Sequence, residues 1–196
     1  MRSNVSPYRR GIAAVAATCL VLCLLQNGEV SAEERRTPVP GEYQVKAAFV
    51  YNFIKFVSWP SGEASAAGTV RLCTLGELPD AAPFDDLQGK EIMGKRLQVV
   101  HLRDPQDAHS CQVLFLSLSL SRRLSETLEL VRGHPVLTVG DTDGYAQRGV
   151  MINMYLENKR VRFEINAETA VQAGLQISTK LLSLAGTVHG TARTGK

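Results

Sequence analysis

The sequence lacks every short signature of catalysis. It has no GxGxxG, no P-loop, no CxxC, no GxSxG and no HExxH. A phosphate-cradling loop, a nucleophile elbow and a zinc-protease helix are therefore unsupported. His101, His109, His134 and His189 are scattered without paired ligand spacing, so no metal site is expected. No cofactor is expected either. An excess of one charge is missing too: the formal net charge is +3. Residues 1–32 carry three Arg and one Glu, and without them the remainder stands at +1. That leaves no basic surplus to hold nucleic acid. Also missing is a long apolar run. The uncharged stretch from Gly11 to Leu25 has fifteen residues, short of the roughly 20 that span a bilayer.

What the N-terminus does have is Arg2, Arg9 and Arg10, that short apolar run, and then Val30-Ser31-Ala32. This is the layout of a secretory signal peptide cleaved after Ala32. Cleavage would remove Cys19 and Cys23 and keep Cys73 and Cys111. In an oxidising compartment the remaining pair points to one disulfide. The alternative is two buried free thiols, since Cys packs as a small hydrophobe.

The expected organisation is a signal peptide at 1–32, a flexible lead-in at 33–41, a single domain at 42–186 and a loose tail at 187–196. Residues 42–59 predict a helix stopped by Pro60. Its apolar arc holds Val45, Ala47, Phe49, Val50, Phe53, Ile54, Phe56 and Val57. Lys46 falls inside that arc and must snorkel or find a partner. A Gly/Ala/Ser linker at 61–68 follows. The runs 69–75, 96–102, 111–119 and 134–141 are rich in β-formers. Between them lie a short helix or turn in "DAAPFDDLQGK" and a helix in "SRRLSETLELVRG", capped by Ser121. The runs 149–156 and 160–166, joined by a polar turn, predict an antiparallel hairpin. Asn166 would then cap a helix over 167–185. The expected fold is α/β: a single domain with a mainly parallel sheet, an antiparallel C-terminal hairpin and helices on both faces. No internal repeat is present.

Two groups of residues are candidate sites. The stretch "YQVKAAFVYNFIKFVSWP" holds six aromatics in eighteen residues. Most face the core, but Tyr51 and Trp59 lie on the polar arc and are candidate partner-binding anchors. Trp59 could equally fold back over the helix end and close the core. The second group is Asp141, Asp143 and Tyr145, after the apolar strand "PVLTV". The carboxyl ends of parallel strands are where α/β folds place ligands, so these residues are a candidate ligand crevice. A plain Asp–Gly turn is the competing reading.

Taken together, the blocks "YQVKAAFVYNFIKFVSWP", "VRLCTLG", "CQVLFLS", "LTVGDTDGYAQRGVMINM", "RVRFEIN" and "AGLQISTKLLSLA" resemble the YfiR family of periplasmic regulators over about residues 42–185. The resemblance implies a compact α/β fold and a periplasmic location in a Gram-negative bacterium. It implies a repressor that binds the periplasmic part of a membrane diguanylate cyclase and restrains cyclic-di-GMP synthesis. An OmpA-type outer-membrane lipoprotein is the implied second partner, and a homodimer stays open. Cys73 and Cys111 match two cysteines of the family. A further pair that some relatives carry near a "GMI" block is missing here. A small-ligand sensor using the 141–145 crevice is the competing function. A thiol oxidoreductase using Cys73 or Cys111 ranks third, because neither cysteine has a helix-start setting that activates a thiolate; an enzyme is not expected.

Overall fold

The computed structural model describes residues 41–60 and 68–190. The expected signal peptide, most of the lead-in, most of the 61–68 linker and the last six residues lie outside the described residues. The described chain runs in order α1 (Glu42–Ile54), β1 (Val57–Ser58), β2 (Thr69–Leu75), α2 (Ala82–Asp85), β3 (Glu91–Ile92), β4 (Lys95–Leu102), β5 (Val113–Leu116), α3 (Leu124–Leu130), β6 (Leu137–Gly140), β7 (Ile152–Glu157), β8 (Arg160–Asn166), α4 (Ala167–Gln172), β9 (Gln176–Ile177), α5 (Thr179–Leu184) and β10 (Thr187–His189).

Eight strands form one sheet in the order β10-β8-β7-β6-β5-β2-β4-β3. β4, β2, β5, β6 and β7 are mutually parallel, whereas β7–β8 and β3–β4 are antiparallel. The expected mixed α/β fold with a C-terminal hairpin is therefore present. The β7–β8 turn uses Asn158 and Lys159 at φ 51° and 62°, the pair of positive φ values that a two-residue hairpin turn needs.

Alternation along the central strands gives the sheet two apolar faces. Val70 and Leu72 of β2, Val113 and Phe115 of β5, and Leu137 and Val139 of β6 face α1, α2, α4 and α5. Cys73 and Leu75, then Leu114 and Leu116, face the other way, toward Leu124 of α3 and Ala108. Because both faces are covered, these strands read as continuous apolar runs.

Several expectations need correction. The first helix ends at Ile54, not at Trp59. Val57 and Ser58 leave it to pair antiparallel with Ile177 and Gln176. Val45, placed on the apolar arc, is exposed, while Tyr43 and Lys46 are buried. The expected helix over 167–185 is two helices separated by β9. Gly174 sits at φ 74°, with Gly174 N–H bonded to Val171 O and Leu175 N–H to Ala170 O at 3.0 and 2.9 Å. This left-handed Gly closure terminates α4. The expected loose tail begins as a strand: Thr187–His189 pair in parallel with Glu164–Asn166. Asn166 does cap α4, accepting from Thr169 N–H at 3.0 Å. Ser121 caps nothing. Its hydroxyl donates to Leu118 O, and α3 begins at Leu124, with Arg123 at the N-cap position and no side-chain cap.

Candidate functional site

The carboxyl end of β6 is where the sequence pointed, and there side chains of α1 meet Asp141. Gly140, the last residue of the strand, has no room for a side chain: a Cβ there would meet Tyr145 Cδ2 at 2.8 Å and Asn153 Oδ1 at 3.1 Å. The next residue, Asp141, turns its carboxylate toward α1. Tyr43 and Lys46 stand three apart on that helix and so share a face. Tyr43 donates its hydroxyl to Asp141 Oδ2 at 2.9 Å, and Lys46 Nζ donates to the same oxygen at 2.7 Å. Lys46 also meets Glu42, one turn earlier, at 2.5 Å, and its ammonium lies 4.5 Å from the centre of the Tyr43 ring. The Lys46 and Asp141 side chains are 5% and 3% exposed. Burial, and then the facing Asp141 carboxylate, push the Tyr43 phenol well above its ordinary range. Tyr43 is thus a permanent donor to Asp141.

The proposed crevice residues are not brought together. Asp141 is engaged by α1, Asp143 is exposed on the turn, and Tyr145 is buried in the opposite core. There Tyr145 donates its hydroxyl to Ser117 O at 3.0 Å. The arrangement around Asp141 is a buried cluster in which one ammonium, Lys46, is shared by two carboxylates, Glu42 and Asp141, and it fixes α1 on the sheet. Lys46 within an apolar arc signalled that a partner existed. Nothing local identified Asp141, 95 residues later.

Cys73 and Cys111 are joined by a disulfide, with Cα atoms 6.0 Å apart. Both are buried, Cys73 within β2 and Cys111 two residues before β5. Tyr51 and Trp59 are half-buried against the α1-side core. Their polar tips are committed: Tyr51 donates to Glu91 O at 2.7 Å and Trp59 Nε1–H to Pro135 O at 2.9 Å.

Two polar clusters had no sequence signal. His101 bonds Thr74 Oγ1 through Nδ1 and Asp85 through Nε2, both at 2.6 Å. Thr74 is buried, and its hydroxyl is engaged by His101. At the β8–β10 edge, Glu164 receives His189 at 2.7 Å, Gln147 at 3.1 Å and Asn153 at 3.0 Å. This cluster ties β10 and the 141–149 turn to the hairpin. No group of three His, Cys, Asp or Glu able to hold a metal occurs among the described residues. None of their helices is long and apolar enough to cross a membrane.

A family profile described as YfiR/HmsC-like matches residues 43–186. Among solved structures, a conserved domain protein from Vibrio cholerae O1 biovar eltor superposes with a TM-score of 0.54 at 11% identity, covering 74% of this chain and 59% of that one. The ABC domain from Streptococcus pneumonia, solved with L-Trp, gives 0.48 at 9% identity, covering 70% and 58%. At such identities only the first supports a statement, and that statement concerns the fold alone. The chain spans less than two thirds of either protein.

Proposed function

The chain belongs to the YfiR/HmsC-like family, and from that membership we propose that it is a periplasmic regulator that binds a membrane diguanylate cyclase and restrains cyclic-di-GMP synthesis. The observation that carries this reading is the match over residues 43–186, which includes the disulfide, α1 and the hairpin. Asp141, at the end of β6, is bonded by Tyr43 and Lys46 of the same chain, which is consistent with a binding role carried by the surface. On this reading it is a binding protein and not an enzyme. An OmpA-type lipoprotein of the outer membrane is its second partner, competing with the cyclase for the repressor. The signal peptide at 1–32 delivers it to the periplasm.

Tyr51 is the proposed anchor on the cyclase-facing surface, with Trp59 beside the same core. Deleting the gene should raise cellular cyclic-di-GMP, and restoring it should lower the level again. An unchanged level on deletion refutes the regulatory reading. Tyr51→Ala should weaken capture of the cyclase's periplasmic part per folded molecule. Normal capture would remove Tyr51 from the interface while leaving regulation intact.

A further inference from the structure

A groove of about 340 Å³ opens between the first turn of α1 and the tip of the β7–β8 hairpin, lined by Gly41, Glu42, Val45, Leu156, Lys159, Arg160 and Val161. Its floor is apolar. Val45 and Leu156, 44% and 37% exposed, supply its apolar lining with Val161. Its rim is cationic. Glu157 turns to Arg162 at 3.4 Å, so Lys159 and Arg160 have no ion-pair partner among the described residues. The acidic member of the lining, Glu42, shares Lys46 with Asp141, so the rim sets two cations against one carboxylate. Six register pairs hold the hairpin, and positive φ at Asn158 and Lys159 fixes its tip. The rim is therefore preformed.

We propose that this groove binds a small amphipathic anion: an acyl or aromatic group on Val45, Leu156 and Val161, with a carboxylate or phosphate against Lys159 and Arg160. The volume matches the lower end of small-ligand sites, about 300–1,000 Å³, and apolar walls with a few placed charges are their usual composition. Two unmatched cations select an anion over a neutral or cationic amphiphile. The first turn of α1, which starts at Gly41 without a side-chain cap, adds the positive end of the helix dipole to the same rim. The site is independent of the cyclase reading, and its Glu42 is linked through Lys46 to Asp141.

Isothermal titration of the folded chain with decanoate tests the proposal, with decyltrimethylammonium as the same chain on a cation. Decanoate should bind saturably at one site and the cation should not. Lys159→Glu with Arg160→Glu should weaken decanoate by about tenfold or more, and Val45→Asp should abolish binding. Lys159→Gln with Arg160→Gln serves as the milder pair if charge reversal disturbs folding, with circular dichroism and melting temperature as the check on each. Equal binding of both amphiphiles, or decanoate binding indifferent to these substitutions, overturns the site. So does sedimentation with phosphatidylglycerol vesicles in the absence of decanoate binding, which would assign the patch to a lipid surface instead.

Discussion

All six phenylalanines lie in or against the core on the α1 side of the sheet, whereas the opposite core contains none and holds the Cys73–Cys111 bond instead. On the α1 side, Phe49, Phe53 and Phe163 meet with ring centres 5.0–5.9 Å apart, and Phe84 meets Phe115 at 4.7 Å. Rings of this size contribute large buried areas, and a helix of 13 residues lies over them. The opposite side has aliphatic residues, Tyr145 and a helix of 7 residues. Less area is removed from water there, and a covalent link supplies what burial does not. Besides apolar contacts and hydrogen bonds, each face has a fastening of its own kind: a buried ion pair on the first, a disulfide on the second.

Removing the second fastening should have the largest effect. The bond closes a separation of 38 residues, for which chain-entropy arithmetic gives about 4 kcal/mol. Cys73→Ala with Cys111→Ala should lower the urea midpoint accordingly while leaving the far-ultraviolet spectrum unchanged. A midpoint that does not move would show that the aliphatic face stands without help.

Breaking the first fastening comes next. Lys46→Met leaves Asp141 buried without its cation, a change that costs about 3–5 kcal/mol in comparable pairs. The Tyr43 hydroxyl still donates to Asp141, which places the expected loss near about 3 kcal/mol. Asp141→Asn added to Lys46→Met should recover part of that loss. Failure to recover would mean that Lys46 acts through its stem and not its charge.

A smaller effect is expected at Tyr145. Tyr145→Phe removes the bond to Ser117 O, but that carbonyl keeps Leu120 N–H at 3.1 Å. A loss of about 1 kcal/mol follows, measured by the same denaturation. The smallest effect concerns alkaline pH. Tyr43 holds its proton far more tightly when folded than its ordinary value of 10.0 allows when unfolded. Its contribution is fully present below pH 10 and declines as pH rises above it, because there only the unfolded chain releases the proton. The wild-type stability curve should fall above that pH, and Tyr43→Phe should flatten the fall. Identical slopes would place Tyr43 in contact with solvent.

The strands were legible because their pattern is local. "TVRLCTL" is β2 residue for residue, and "RVRFEIN" is β8. The hairpin was legible from its turn. What the pattern could not show were the ends of helices whose neighbours are distant in sequence. Phe56 and Val57 continue the apolar period of α1, so nothing before Pro60 marked the exit at Ile54, and the strand partner of Val57 is Ile177. Gly174 reads as a tolerated glycine in a helix until its positive φ is known. The disulfide could be named from compartment and count. The Lys46–Asp141 pair could not, since many carboxylates competed and only the fold brings one within 2.7 Å.

The pairing of β1 with β9 also has a consequence for the order of folding. The first helix and its continuation rest on strands from the far end of the chain, β8 and β9. The α1-side core therefore cannot close until residue 177 is available, whereas β2, β4, β5 and β6 need nothing beyond residue 140. Contacts of such long sequence separation slow folding. As the chain becomes available from its N-terminal end the parallel centre can assemble first, with α1 waiting, and its exposed aromatics make that interval the one in which the chain most needs protection from aggregation.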